Sequence, residues 1–386
     1  MPLNDVTFQV ASGGLGRKTP NEDNVSAMMF AIAAPGSPTW PTNKFKSFTD
    51  IEQVKTAGIT KGHATLGEVY YQAKEFFRVS PGATLWIGLN ATLPTYAELL
   101  TATAGKVRQL GVYYTIATKG ELTSVHQAGV TSLTDQHAPL VVVAALQNVN
   151  TAVTLGTLDD LASATHPQVA VLIAGDGAGE GAALATSSTR LYIPALGAVL
   201  GALSKAGVHE SIAWVEKFNL SDGTELDTIR LADGSNNPTN ATLDGPNTKR
   251  YLLLRKHAGI SGSYLNDSHT GTAATGDFAY LEPNRVVQKA RRLVRAALLP
   301  DLNSPITVNA TTGKIGQGSV KYFESKASRP MNQMQADAEI SGFGVWVDPD
   351  QNVLSTSQLN VVVRIVPRGV ARSIVVNIGL TVATQL

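Results

Sequence analysis

Apolar and polar side chains alternate with a period of two at both ends of the chain. Leu359, Val361, Val363 and Ile365 alternate with Gln358, Asn360, Val362 and Arg364, and Ile374, Val376, Ile378, Leu380 and Val382 repeat the pattern against Ser373, Asn377, Gly379 and Thr381. Near the start, Val6, Phe8 and Val10 are offset from Thr7 and Gln9. That period puts one row of side chains on a buried face and the other on a wet or shared face. Strands at the extremities can add to the sheet edge of another molecule as readily as to their own. Residues 11–24, with Gly13, Gly14, Gly16 and Pro20, read as an extended linker that lets the first strand reach away from its own body. The pattern predicts an assembly subunit.

Between the ends, the period changes. Residues 26–34 (SAMMFAIAA) are apolar without alternation, as in a strand covered on both faces, and stop at a Pro35-Gly36-Ser37-Pro38 turn. A short helix is predicted over 49–56. Another is predicted over 66–79, where Leu66, Val69, Tyr70, Ala73, Phe76 and Phe77 recur at helical spacing. The order continues as strand 85–89, helix 95–104, strand 111–116, helix 118–128, strand 139–146, helix 158–162, strand 168–174 and helix 192–206. Such alternation predicts an α/β fold with a mostly parallel sheet flanked by helices. Beyond about residue 223 the texture shifts to turns rich in Asp, Asn, Gly and Thr, with a strand at 251–255. A long helix (284–299), a hairpin (306–320), a polar helix (329–340) and the terminal strands follow.

Composition narrows the function. With 386 residues, 43% hydrophobic and 16% charged, the chain can bury a large core and build two or three domains. A net charge of +1 and a mean hydropathy of +0.02 supply no global field toward nucleic acid or anionic lipid, so neither is an expected partner. The absence of cysteine removes disulfides, thiolate catalysis and thiolate metal sites. The first residues lack the pattern of a secretory signal, and no run reaches the roughly 18 to 20 apolar residues of a membrane span.

The charge is local. On 284–299, Val286, Val287, Ala290, Leu293, Val294 and Ala297 form an apolar stripe, while Arg285, Lys289, Arg291, Arg292 and Arg295 fill the other side without an acid among them. Asn284 is the expected N-cap. This face is either a dock for an acidic partner or a solvated face whose acids come from other segments. The loop Gly175 to Ala182 satisfies the permissive GxGxxA spacing of a dinucleotide cradle, but lacks an acid some twenty residues onward to hold a ribose. A nucleotide-binding α/β enzyme is therefore the alternative function. Asp348 to Asn352 starts like a calcium loop but has Val353 and Leu359 where Gly and Glu belong, so a polar turn is expected. Asp159 and Asp160 read as an acidic helix start. The seven histidines are scattered without metal-ligand spacing, and no activated-serine motif occurs. No catalytic residue, metal or cofactor is expected.

Residues 344–348 (GVWVD), the turn 349–356, the strand 359–365 with Val366-Pro367, and the closing strand 373–382 resemble the end of contractile tail sheath proteins of bacteriophages and related injection machines. Upstream, Tyr280-Leu-Glu-Pro-Asn284 and the Arg-rich helix resemble the same region of that family, and 26–41 with the helix at 49–56 resembles its first core strand, turn and helix. The resemblance implies a non-enzymatic subunit that stacks in hexameric rings around an inner tail tube protein and meets baseplate and tail terminator proteins. A tube or terminator protein is the neighbouring alternative. It implies an arm strand with linker (1–22), an outer α/β domain (23–260), an inner, tube-facing α+β domain (261–370) and a C-terminal arm strand (371–386). The arms of neighbouring copies complete the inner sheet, and the basic helix faces the tube. Assembly in the bacterial cytoplasm into a virion tail or extracellular particle follows from the same resemblance.

Overall fold

The structure is a computed structural model describing residues 22–36, 38–114, 122–146, 153–188 and 190–380. Val6, Phe8, Val10 and Val382 lie outside the described residues. The first seven strands are β1 (Ser26–Phe30), β2 (Phe45–Phe48), β3 (Leu85–Leu89), β4 (Gln109–Tyr114), β5 (Val141–Leu146), β6 (Thr165–His166) and β7 (Val169–Leu172). All but β6 form one sheet in the order β2-β3-β1-β4-β5-β7. The β1–β3, β1–β4, β4–β5 and β5–β7 pairs are parallel, and β2 runs antiparallel on the edge. Every residue of β1 and β5 is buried, which explains their unbroken apolar runs.

Helices close the sheet, and their sequences show why they start where they do. Asp50 caps Ile51–Thr56 by accepting from Gln53 N, and Thr95 with Glu98 makes a reciprocal capping box on Tyr96–Thr103. Helices Gly67–Val79 and Leu196–Lys205 come into backbone contact. A Cβ on Gly197 would lie 2.0 Å from the Gln72 carbonyl oxygen, so only glycine fits there. The Gln72 side chain receives the Gly197 N–H at 2.6 Å inside the core.

Some expected helices differ. In place of a helix over 158–162 there are two 3₁₀ turns, Leu155–Thr157 and Leu161–Ser163, the second capped by Asp160. The helix expected at 118–128 is a π turn over Leu122–Gln127 continuing as Ala128–Asp135, with residues 115–121 outside the description. A helix that periodicity does not announce, Glu180–Ser187, emerges from the Gly-rich loop. Small antiparallel pairs then extend the main body: β8 (Ala174–Asp176) with β9 (Ile229–Leu231), β10 (Leu254–His257) with β11 (Ile260–Leu265), and β12 (Gly271–Thr272) with β6. The principal core runs continuously from the sheet to Leu254, Leu265 and Leu281.

The last third packs around two smaller apolar clusters, one of which also takes in Val208 of the main body. Helices Leu281–Leu298 and Gln317–Ala336 lie against a hairpin of β13 (Ile340–Val347) and β14 (Val361–Pro367). Val286, Ala290, Met331, Met334 and Ile340 make one cluster, and Ile315, Val320, Phe323 and Val347 another. The first helix begins three residues before Asn284. That side chain is not the N-cap; it donates to the Phe278 and Tyr280 carbonyls from within the first turn. The second helix starts twelve residues before the expected 329 and carries Pro330 inside it. The hairpin expected over 306–320 reduces to a single bridge, Val308 to Ile315. Of the strand expected over 373–382, the described part, 373–380, belongs to no helix or strand.

Candidate assembly surface

The helix Leu281–Leu298 divides its cations by function. Arg285 is only 4% exposed and donates to the carbonyls of Leu203 (2.9 Å), Ala206 (3.1 Å) and Gly207 (3.1 Å). These groups lie at and just beyond the C-terminal end of helix Leu196–Lys205, where carbonyls lack helical partners and a cation is favoured. Burial pushes the Arg285 pKa down, with Asp23 and Glu282 countering it. Lys289 reaches Asp23 (2.6 Å) and Glu339 (2.5 Å), and Arg292 reaches Asp23 at 2.6 Å. Burial alone would raise the Asp23 carboxyl, but the Lys289 hydrogen bond and the charges of Lys289, Arg292 and Arg285 hold it below the usual range. Burial, with Arg108 nearby, lowers Arg292 to about 10. Arg285, Lys289 and Arg292 therefore join the last third of the molecule to the main body. Asp23 and Glu339 are the acids supplied from elsewhere.

Arg291 and Arg295 stand apart. Both are exposed, with no ion-pair partner among the described residues, and both border a groove of about 420 Å³ between the helix and β14. Val287, Ala290 and Val294 line it from the helix, Val363 and Ile365 from β14, and His137 and Pro139 from the main body. Across the hairpin, the opposite face exposes Trp346, Val362 and Val366, with Trp346 directly opposite Val362. The hairpin's sheet has only these two strands, so each strand has a side without a sheet partner among the described residues.

Beyond Arg372 no described side chain ties the chain to the body. Ile374, Val376, Ile378 and Leu380 are 80%, 69%, 91% and 107% exposed. A row of four branched apolar residues in water is costly, on the order of 1.5–3 kcal/mol per side chain relative to burial.

The Gly175 to Ala182 loop is already occupied by the protein's own carboxylates. Asp176 accepts from Ala178 N (3.3 Å) and Gly181 N (3.1 Å), and Glu225 accepts from Glu180 N at 2.9 Å. Lys74 binds both Glu180 (2.8 Å) and Glu225 (3.0 Å). Burial alone would lower the Lys74 pKa, but these two acids hold it above the usual range. A phosphate could reach the loop amides only by displacing Asp176 and Glu225. The glycines serve close packing instead, for a Cβ on Gly179 would lie 2.4 Å from a Glu225 oxygen. Asp348 accepts from Asp350 N in a polar turn, and Asp350 pairs with Lys314. Among the described residues no helix is long and apolar enough to cross a membrane.

Sequence reasoning missed Asp23 and Glu339 because nothing local marks them as counterions. Asp23 is 269 residues from Arg292.

The fold as a whole is similar to the helical sheath of the anti-feeding prophage in its contracted state, with a TM-score of 0.64 at 14% identity over 97% of this chain and 100% of that one. The contracted sheath complex of an extracellular contractile injection system, PVC, matches with a TM-score of 0.62 at 13% identity over 99% of both chains. A chain of the six-fold symmetrised baseplate of the anti-feeding prophage matches at 0.64 and 15% over 98% of both. No curated protein matches the sequence. Two family models cover nearly the whole chain: the DUF2586 N-terminal domain over residues 3–269 and the DUF2586 C-terminal domain over residues 277–385. The chain thus belongs to the DUF2586 family and has the fold of contractile tail sheath proteins.

Proposed function

We propose that this chain is the structural subunit of a contractile sheath, stacking in six-membered rings around an inner tube and driving that tube through a target envelope when the array shortens. The observation that carries the reading is end-to-end likeness: sheath chains of two injection machines are covered at 99–100% of their length by this one. A partial likeness would speak only for a shared domain.

The terminal segments supply the joints. The row Ile374, Val376, Ile378 and Leu380 lies exposed beyond the body, and the short hairpin sheet offers unpaired sides. Adding the row to a neighbour's hairpin would satisfy backbone groups and bury apolar surface at once. Val6, Phe8 and Val10, with Val382, are assigned to the same kind of joint from their alternation alone. Main-chain bonds across such strands keep subunits tethered while their bodies move. The outer body faces solvent and the part built on Leu281–Leu298 and the hairpin faces the tube. Arg291 and Arg295 are the cations of that helix left for an acidic partner such as the tube protein. Baseplate and terminator proteins bound the array, and the site is extracellular or on a virion tail.

Electron microscopy of the purified chain tests the function. Hollow ridged cylinders are expected; smooth thin tubes or dispersed particles under all assembly conditions would overturn it.

A further inference from the structure

The last side-chain hold on the C-terminal segment, among the described residues, is Arg372. Its Nε lies 3.1 Å from both carboxylate oxygens of Asp267, and its Nη2 pairs with Oε1 of Glu282. The guanidinium sits 3.4 Å from the ring centroid of Tyr280, in stacking distance. The receiving cluster is itself fixed. Glu282 is buried and accepts from Ser268 Oγ at 2.5 Å, Asp267 accepts from Ser268 N at 2.8 Å, and the buried Arg250 guanidinium lies 4.9 Å from the same tyrosine ring. A planar fork on two carboxylates and an aromatic ring admits far fewer orientations than a single ion pair.

Beyond this point no residue from 373 to 380 belongs to an element, yet Ile374 follows at 80% exposure. An untethered segment of this length would sample many directions, and ordering it on binding would weaken assembly. We propose that Arg372 is a clasp that sets where the C-terminal arm leaves the body, presenting residues 373–380 to one neighbouring copy of this chain. The proposal rests on the sheath reading for the identity of that partner. Arg372 acts as a positioning residue and needs no contact with the neighbour.

The chain has no cysteine, so two introduced ones are unique labelling sites. Spin labels at Thr248→Cys and Asn377→Cys, both exposed positions, report the arm's position in dilute protein below the assembly threshold. With Arg372 intact a narrow distance distribution is expected; Arg372→Ala should broaden it about twofold, and Arg372→Lys partly. In unlabelled protein, Arg372→Ala should raise the concentration needed for polymerisation about tenfold, measured at a temperature where parent and variant monomers are both fully folded, because the buried Glu282 loses its cation. Asp267→Asn gives a second route to the same loosening. An unchanged distribution in both variants overturns the clasp. A broadened distribution with unchanged polymerisation overturns its role in presenting the arm. If the parent chain never polymerises, the sheath reading fails, and the distance measurement still decides the clasp.

Discussion

Arg285 and Arg291 are six positions apart on one helix and have opposite roles. Helical periodicity places five cations on one side, but it cannot say what stands above each of them. Arg285 ends against three backbone carbonyls, whereas Arg291 and Arg295 border an open groove. Arg285→Ala should therefore destabilise the monomer by about 3 kcal/mol, because buried carbonyls lose their donors, as urea unfolding would measure. The double change Arg291→Glu and Arg295→Glu should leave stability within about 0.5 kcal/mol yet abolish assembly on the tube while sparing tube-free polymers. Equal loss of both assemblies would mean that these arginines are not the tube contact. A pH effect belongs at this scale too. His126 is buried against Tyr96, and burial lowers its pKa from 6.5 to about 4. The unfolded chain takes up a proton below pH 6.5 that the folded one refuses, so this contribution is intact above 6.5 and declines toward pH 4. Stability should fall by about 2 kcal/mol between pH 7.5 and 5 from this group, and His126→Gln should flatten that slope.

Elements were legible where both period and punctuation agreed. The strand at 85–89 matches its expected ends because Pro81-Gly82 precedes it and its residues are apolar throughout. Helix Tyr96–Thr103 announces itself through the Thr95–Glu98 capping box. Helix Gln317–Ala336 was half hidden. Its buried residues Val320, Phe323, Ala327, Met331 and Met334 keep helical spacing, but Pro330 reads as a start signal, and the glycines before it read as a hairpin. Helix Glu180–Ser187 was masked by glycines that are there for close packing. The terminal row is legible as alternation, but alternation does not name the sheet edge such a row would join. Ile378→Pro removes a backbone donor from that row. The monomer should melt at its usual temperature, since Ile378 is exposed, and assembly into cylinders should be lost. Cylinders of normal yield would show that the segment adds no strand to a neighbour.

At the scale of the whole molecule, a parallel sheet with its helices carries a smaller unit built from two helices and a hairpin, joined through Arg285, Lys289, Arg292 and Asp23. The alternating strands and helices made the first part readable. The joint was unreadable because it pairs residues from 78 to 269 positions apart. Under the sheath reading proposed above, the lattice and not the monomer is the working object. A map of assembled cylinders in which residues 371–386 can be traced tests this most directly. The account predicts that the segment is hydrogen-bonded as a strand to the β13–β14 hairpin sheet of an adjacent subunit; a segment bonded solely within its own subunit, in intact cylinders, would contradict it.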